Sequence, residues 1–340
     1  MTLVLSRYAC VRREGERLLA ESGVTGERVI LDEEGRGVAL LGALTRPVAL
    51  EQAAAAAGLT ADDALAVAEP LIAAGVIVDA ATAGREDASP WWFHDRLLHT
   101  VSRSGQPLEP PTRPAASELP APRWSETIAL AVPDLGAIEH SDPPLAAVQA
   151  ARRSVREHGP EPLALRRIEE LLYRVGRVED LWHPDPATTF ATRPYPSAGA
   201  LYELELFLVA GDCDGLQPGL YHYMADHHRL ACAAGPTGDV RELLVSAAAG
   251  MGTGRPPQAL IVIAARFDRL AWKYGRIAYS LVLKDVGVVM QTLYLTTTAM
   301  GIAGCAVGAG DASLFARAAR LGPDDEVSVG EFAIGTMPAT

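Results

Sequence analysis

Lys273 and Tyr274 stand side by side in the stretch "WKYGRIAYSLVLKDVG" (Trp272 to Gly287). A phenol with its ordinary pKa of about 10 is a poor base at neutral pH. A neighbouring ammonium favours the phenolate and lowers that value, and such a pair can take a proton off carbon. Adjacent residues of a regular helix do not face one another. Both can therefore serve one site only if the backbone breaks there, and Gly275 permits such a break. The plainer alternative is a snorkelling Lys beside a core Tyr, and the two residue types taken alone favour it.

Two further stretches carry binding chemistry. In "ARRSVREHG" (Ala151 to Gly159), Arg152, Arg153, Ser154 and Arg156 cluster at what reads as a helix end. Guanidinium forks and a hydroxyl can hold a phosphate; a solvated basic face is the alternative. In "RPYPSAGALYELELFLV" (Arg193 to Val209), turn-forming residues run straight into a strand. Pro196, Ser197, Ala198, Gly199 and Ala200 form a small, stiff corner that lets a flat ligand approach the backbone. Alone, it supports only a strand-entry turn.

Other chemistries lack their signatures. No GxGxxG follows a strand, and there is no GxxxxGK[ST] or GxSxG. "GMGTG" (Gly250 to Gly254) precedes "RPPQ" and reads as a loop. Cys10, Cys213, Cys232 and Cys305 are far apart, without metal-ligand spacing, and read as reduced structural thiols. The eight histidines form no HExxH, and "YHYMADHH" reads as a hairpin rather than a metal site.

The elements that must position these residues fall into two groups. Residues 1–82 read as a winged-helix-like domain with a strand, a turn, a helix, then helix, turn, helix and strand; Thr60 is a candidate N-cap and Gly75 a candidate C-cap. Its helices are Ala-rich and acidic, which disfavours DNA, whereas such a shape can add an extended peptide to its sheet edge. Residues 83–125 read as an aromatic helix (Ser89 to Arg103) and a Pro-rich connector. Residues 126–340 read as an α+β domain with a mixed central sheet and helices on both faces. It opens with a helix from Pro143 ending at Gly159 and a second with Leu165, Ile168, Leu171 and Leu172 at helical spacing. "QALIVIAARF" reads as a central strand, followed by a long helix over about 276–300, a strand near 302–307, a helix near 311–321 and a last strand "VSVGEFAIG".

Composition sets the outer limits. The chain has 340 residues, 49% hydrophobic and 21% charged, with a formal net charge of −12. That is an ordinary globular balance with no general basic surface for nucleic acid. The N-terminus lacks an apolar signal core. The run Val286 to Gly304 contains Gln291 and several threonines, so it reads as a buried helix rather than a membrane span, and a cytoplasmic protein is expected.

Taken together, "RRSVREHGPEPLALRRIEELLY", "RPYPSAGALYELELFLV", "GLYHYMADHHRL", "ARFDRLAWKYGRIAYSLVLKDVGVVMQTLYLTTTAMGIAGCAVGAGD" and "EFAIG" resemble, in order and spacing, the SagB/McbC-type dehydrogenases. These are nitroreductase-like FMN flavoproteins that mature thiazole- and oxazole-containing ribosomal peptides. The N-terminal part is similar to the peptide-binding clamp that precedes some members. The resemblance implies a homodimer with FMN at the subunit interface. It implies that Arg152, Arg153, Ser154 and Arg156 meet the flavin phosphate and ribityl chain. Pro196 to Ala200 are implied to lie against the isoalloxazine of the neighbouring subunit. Gln291 lies in the interface helix, and Gly304, Val307 and Gly308 near the flavin.

Lys273 and Tyr274 match the family's catalytic pair: Tyr274 takes the Cα proton of an azoline while flavin accepts hydride. The implied partners are an azoline-bearing precursor peptide and the cyclodehydratase that makes the ring. Two positions depart from the pattern. Val288 stands where many members have His, and the chain ends "AIGTMPAT" where many have Gly-Arg-Pro. Two other readings remain open: an NAD(P)H-dependent nitro or quinone reductase of the same fold, and a non-catalytic scaffold subunit of a peptide-maturing complex.

Overall fold

A computed structural model describes residues 2–103, 105, 123–185, 188–322 and 325–339. The Pro-rich part of the expected connector, 106–122, lies outside the described residues. The chain divides into two compact units, Met1–Pro107 and Leu108–Thr340.

The first unit runs β1 (Thr2–Leu5), β2 (Ala9–Glu14), β3 (Arg17–Ser22), β4 (Arg28–Ile30), α1 (Arg36–Ala43), β5 (Val48–Ala49), α2 (Leu50–Ala57), α3 (Ala61–Ala73), β6 (Ile77–Asp79), α4 (Ala80–Asp87) and α5 (Phe93–Arg103). One antiparallel sheet has the order β5-β1-β6 and the other is the meander β2-β3-β4. The helices meet over Leu40, Leu41, Leu44, Ala64, Ala68 and Leu71. Thr60 caps α3 by accepting the Asp63 amide at 3.2 Å. Gly75 takes the left-handed conformation, φ 73°, just past the helix end. The strands β1 to β3 escaped the sequence reading because β1 is only four residues long and β2 and β3 carry charges along their length. The aromatic helix α5 belongs to this unit: Tyr8 Oη donates to the Trp91 carbonyl at 3.1 Å and Thr100 Oγ1 to that of Gly23 at 2.8 Å.

The second unit runs β7 (Thr127–Ala129), α6 (Leu135–Ser141), α7 (Leu145–Ala151), β8 (Leu163–Ala164), α8 (Leu165–Gly176), β9 (Asp180–Asp185), β10 (Thr188–Thr192), a 3-10 turn (Ala198–Ala200), β11 (Leu204–Ala210), β12 (Cys213–Asp214), β13 (Gly219–Met224), β14 (Arg229–Ala234), α9 (Gly238–Met251), β15 (Ala259–Ala265), α10 (Asp268–Tyr274), a 3-10 turn (Gly275–Ile277), α11 (Ala278–Met300), β16 (Ala303–Val307), α12 (Ala312–Ala319) and β17 (Val327–Gly335). Seven strands form one sheet in the order β16-β17-β15-β11-β13-β14-β7.

Strand alternation sorts the core. Leu204, Leu206 and Leu208 of β11 and Ile261 and Ile263 of β15 face α8 and α11, while Phe207, Val209, Leu260 and Val262 face α9 and α12. Every residue of β11 and β15 is buried, as a strand covered on both faces requires. The α+β fold with helices on both faces is therefore as expected. The central sheet, expected to be mixed, is antiparallel throughout, and among the described residues parallel pairing is confined to β8 with β12.

Two boundaries depart from the sequence reading. The helix expected to reach Gly159 stops at Ala151. Beyond it the chain is drawn out along the sheet end, with Val155 N–H on the Gly304 carbonyl and Gly159 N–H on that of Thr336, each at 3.0 Å. The stretch "GMGTG" is not wholly a loop: α9 continues through Met251 and ends on Gly252 at φ 72°.

Candidate active site

The corner and the Lys-Tyr pair meet. Helix α10 ends at Tyr274 because Gly275 adopts φ 48°, ψ −122°, outside any helix. This is the backbone break that two adjacent side chains need in order to serve one place. Both reach Gly199, itself at φ 61°: a Cβ built there would lie 2.4 Å from Tyr274 Oη and 2.9 Å from Lys273 Nζ. Lys273 Nζ sits 5.3 Å from the centroid of the Tyr274 ring and 5.6 Å from that of Phe190. No hydrogen bond or ion pair to Lys273 or Tyr274 is found among the described residues, so their polar ends can engage a ligand.

The corner is strained and held from behind. Ala200 and Tyr202 join Gly199 at positive φ, 58° and 48°, a conformation that costs side-chain-bearing residues about 1–3 kcal/mol each. Tyr202 Oη accepts the Arg193 amide at 3.2 Å and donates to the Tyr195 carbonyl at 2.8 Å. Arg269, fully buried, donates its Nε to the Leu201 carbonyl at 2.9 Å. Ser197 Oγ turns inward, accepting the Tyr202 amide at 3.1 Å and donating to Glu203 Oε2 at 3.0 Å. The Ala198 amide donates to Asp285 Oδ2 of α11 at 2.8 Å. Burial, then the nearby Asp285 charge, pushes the Glu203 carboxyl up to about 7. Two residues further on, burial works against ionisation of Glu205, but His222, Arg193 and Arg266 outweigh it and hold that carboxyl down to about 2.

The basic segment meets a different part of the same long helix. Ser154 Oγ and Tyr294 Oη share a hydrogen bond at 2.8 Å, Tyr294 Oη accepts the Ala306 amide at 2.9 Å, and the Arg152 guanidinium lies 5.1 Å over the Tyr294 ring. Arg152, Ser154 and Gly304 to Val307 are thus brought together through one tyrosine. Arg153 is not: its Nη1 bends back to the carbonyls of Ala150 and Arg152. Arg156 is exposed, and Gln291 is exposed on α11 in line with Tyr279, Leu283 and Gly287. Asp285 and Tyr294, nine residues apart, put the two groups about 13 Å apart along the helix. Val307 and Gly308 line a cavity of about 470 Å³ together with Ala306, Met290 and Glu331. Burial pushes the Glu331 carboxyl up.

This donor set fits FMN. A guanidinium and a hydroxyl suit a phosphate, and a glycine-walled cavity beside them suits a flat ring. Glu331 would be a poor neighbour for a phosphate, and the Arg152 guanidinium a good one. The residues after β17 are tied to the extended segment through Gln258: Thr336 N–H donates to Gln258 Oε1 at 2.7 Å, and the Gln258 backbone N–H donates to His158 Nδ1 at 3.2 Å.

Sequence reasoning missed Glu203, Asp285, Tyr294 and Glu331. A signal existed for two of them: Glu203 stands directly before a strand whose residues other than Glu205 are apolar, and Asp285, with Lys284, interrupts an apolar stretch of helix. Tyr294 carried none, since only its partners from other elements reveal it.

The model of the nitroreductase family matches residues 150–336, more than half of the chain. A second family model, for the cyanobactin oxidase ThcOx, matches residues 3–107. The chain belongs to the nitroreductase family and is an oxidoreductase of that kind. It is 33% identical over 184 residues to a protein of Methanocaldococcus jannaschii described as a nitroreductase, covering 54% of this chain and 85% of that one. It is 32% identical over 146 residues to the microcin B17-processing protein McbC of Escherichia coli, covering 41% of this chain and half of McbC. A crystal structure from Ralstonia eutropha, also described as a nitroreductase, aligns at 21% identity and TM-score 0.48 over 69% of this chain and all of its own.

Proposed function

We propose that the protein is an FMN-dependent azoline dehydrogenase that oxidises thiazoline or oxazoline rings of a ribosomally made peptide to the azoles. The observation that carries this reading is the meeting of Lys273, Tyr274 and Gly199. It sets a phenol and an amine, without hydrogen-bond or ion-pair partners among the described residues, at a backbone corner. Similarity to the cyanobactin oxidase model and to McbC supports the substrate class.

Tyr274 would take the Cα proton of the azoline, with the Lys273 side chain beside its ring. FMN, when bound, supplies a two-electron acceptor for the hydride that leaves the adjacent ring carbon, so each ring loses two hydrogens. Arg152 and Ser154 would hold its phosphate, with Arg156 near. The turn after β16 would offer its amides, and the corner would present backbone without side-chain bulk. Arg153 and Gln291 make no such contribution within one protomer. The exposed line Tyr279, Leu283, Gly287 and Gln291 on α11 supports a homodimer through that helix. The first unit would hold the precursor peptide, and an upstream cyclodehydratase would supply the ring. A cytoplasmic setting suits these partners.

Incubation with an azoline-bearing peptide tests the reading: mass spectrometry should show a loss of two hydrogens per ring, and no such loss from the flavin-loaded protein would overturn it. The likeness to a nitroreductase favours one other reading, a nitro or quinone reductase. Consumption of NAD(P)H with quinone and no change in the peptide would select it.

A further inference from the structure

Glu203 and Asp285 meet behind the corner, one at the entry to the central strand β11 and the other on α11. Glu203 is fully buried and Asp285 nearly so. Each carboxyl holds one residue of the corner, through the Ser197 hydroxyl and the Ala198 amide. The other Glu203 oxygen, Oε1, is buried and has no hydrogen-bond partner among the described residues, and the Asp285 carboxyl is near enough to oppose the Glu203 charge. Two bare carboxylates side by side repel and leave a buried oxygen unsatisfied. One proton between them removes both penalties.

We infer that Glu203 and Asp285 share a single proton and act as positioning residues, bracing the strained Ser197–Tyr202 corner against α11. This rests on the reading of that corner as the ligand platform. The charges around the pair are Arg193 and Tyr195 ahead of the corner, Glu205 on the same strand, Arg266 and Arg269 after β15, and Lys273 and Tyr274 at the end of α10. The three arginines keep one negative charge tolerable. They do not make room for a second, since Glu205 already occupies Arg193 and Arg266.

The position of the Glu203 carboxyl, about 7 against an ordinary 4.5, sets the pH behaviour. Between those values the unfolded chain gives up a proton that the folded chain keeps. Stability supplied by the neutral form is therefore lost as pH rises from about 4.5 to about 7 and is level above. Glu203→Gln keeps the shape and neutrality of the protonated acid, and Asp285→Asn removes the competing charge.

Thermal midpoints of wild type and the two variants, measured without cofactor across pH 5 to 8, test the pair. Comparison with wild type cancels the other titrating groups, His158, His228, Glu326 and Glu331 among them. Each variant should gain on wild type steadily from pH 5 to 7 and then hold its lead. A constant difference across that range would overturn the shared proton. FMN titration followed by flavin fluorescence tests the bracing. Glu203→Gln should bind as wild type does at pH 6, and Asp285→Ala, which strands the Ala198 amide, should bind about ten-fold more weakly or worse. Asp285→Ala binding with wild-type affinity would overturn the positioning role. Failure of wild type itself to bind FMN would instead sink the proposed function, while the thermal comparison would still decide the shared proton.

Discussion

At Gly199 a methyl group would collide with Tyr274 Oη, 2.4 Å away, on a backbone at φ 61°. Gly199→Ala should therefore cost roughly 1–3 kcal/mol of stability, and the displaced Tyr274 should lower azole formation more than it lowers FMN affinity. Denaturant melts beside turnover assays check this. Tyr274→Phe leaves packing intact and removes the proton acceptor. Turnover should fall by roughly 10²–10⁴ while the purified protein keeps its flavin absorbance; normal turnover would remove Tyr274 from the base role. Glu205 predicts an acid limit. Its carboxyl, held to about 2 by His222, Arg193 and Arg266 against the effect of burial, contributes stability above about 4.5 that is lost as pH falls toward 2. Glu205→Gln should be less stable than wild type at pH 7 and lose less between pH 4.5 and pH 2 in the same melts.

Among the elements, the extended segment after α7 matters most. It docks at Val155 on Gly304, at Gly159 on Thr336, and through Ser154 on Tyr294. The Tyr294 hydroxyl is shared between that segment and the Ala306 amide of β16, so Tyr294→Phe should leave one or both without a partner. FMN affinity should drop by about ten-fold, at a stability cost of about 1–3 kcal/mol. Unchanged flavin fluorescence titration would show that this joint does not shape the phosphate side. The segment also shows why local sequence misled. "RRSVREH" has good helix formers, and nothing within it marks Arg152 as the helix end. The end is set by backbone groups of β16 and the chain terminus, more than a hundred residues away.

The whole molecule joins a nitroreductase unit to a unit that matches the cyanobactin oxidase model. If the first unit holds the peptide, a chain beginning at residue 108 should bind precursor peptide at least ten-fold more weakly yet titrate with FMN as the intact protein does. Equal peptide affinity, by fluorescence anisotropy, would detach the first unit from that role. The cut belongs at 108 rather than 83, because α5 is hydrogen-bonded to the turn after β3 in the first unit.

Hydrophobic periodicity by itself determined the second unit's α8, β15, α11 and β17, because covering a sheet on both faces demands continuous apolar strands and striped helices. Taken alone, the Lys273–Tyr274 pair and the Pro196–Ala200 corner favoured plainer readings; the resemblance in order and spacing singled them out, and helix geometry required a break at Gly275 if the pair was to serve one site. That the corner and the pair meet was decided only by tertiary structure, since 73 residues lie between Gly199 and Lys273 and no local pattern encodes their approach. The same holds for Glu203 with Asp285 and Ser154 with Tyr294. Polar groups buried by packing take their partners from whichever element the fold brings alongside, and that choice is made in space rather than along the chain.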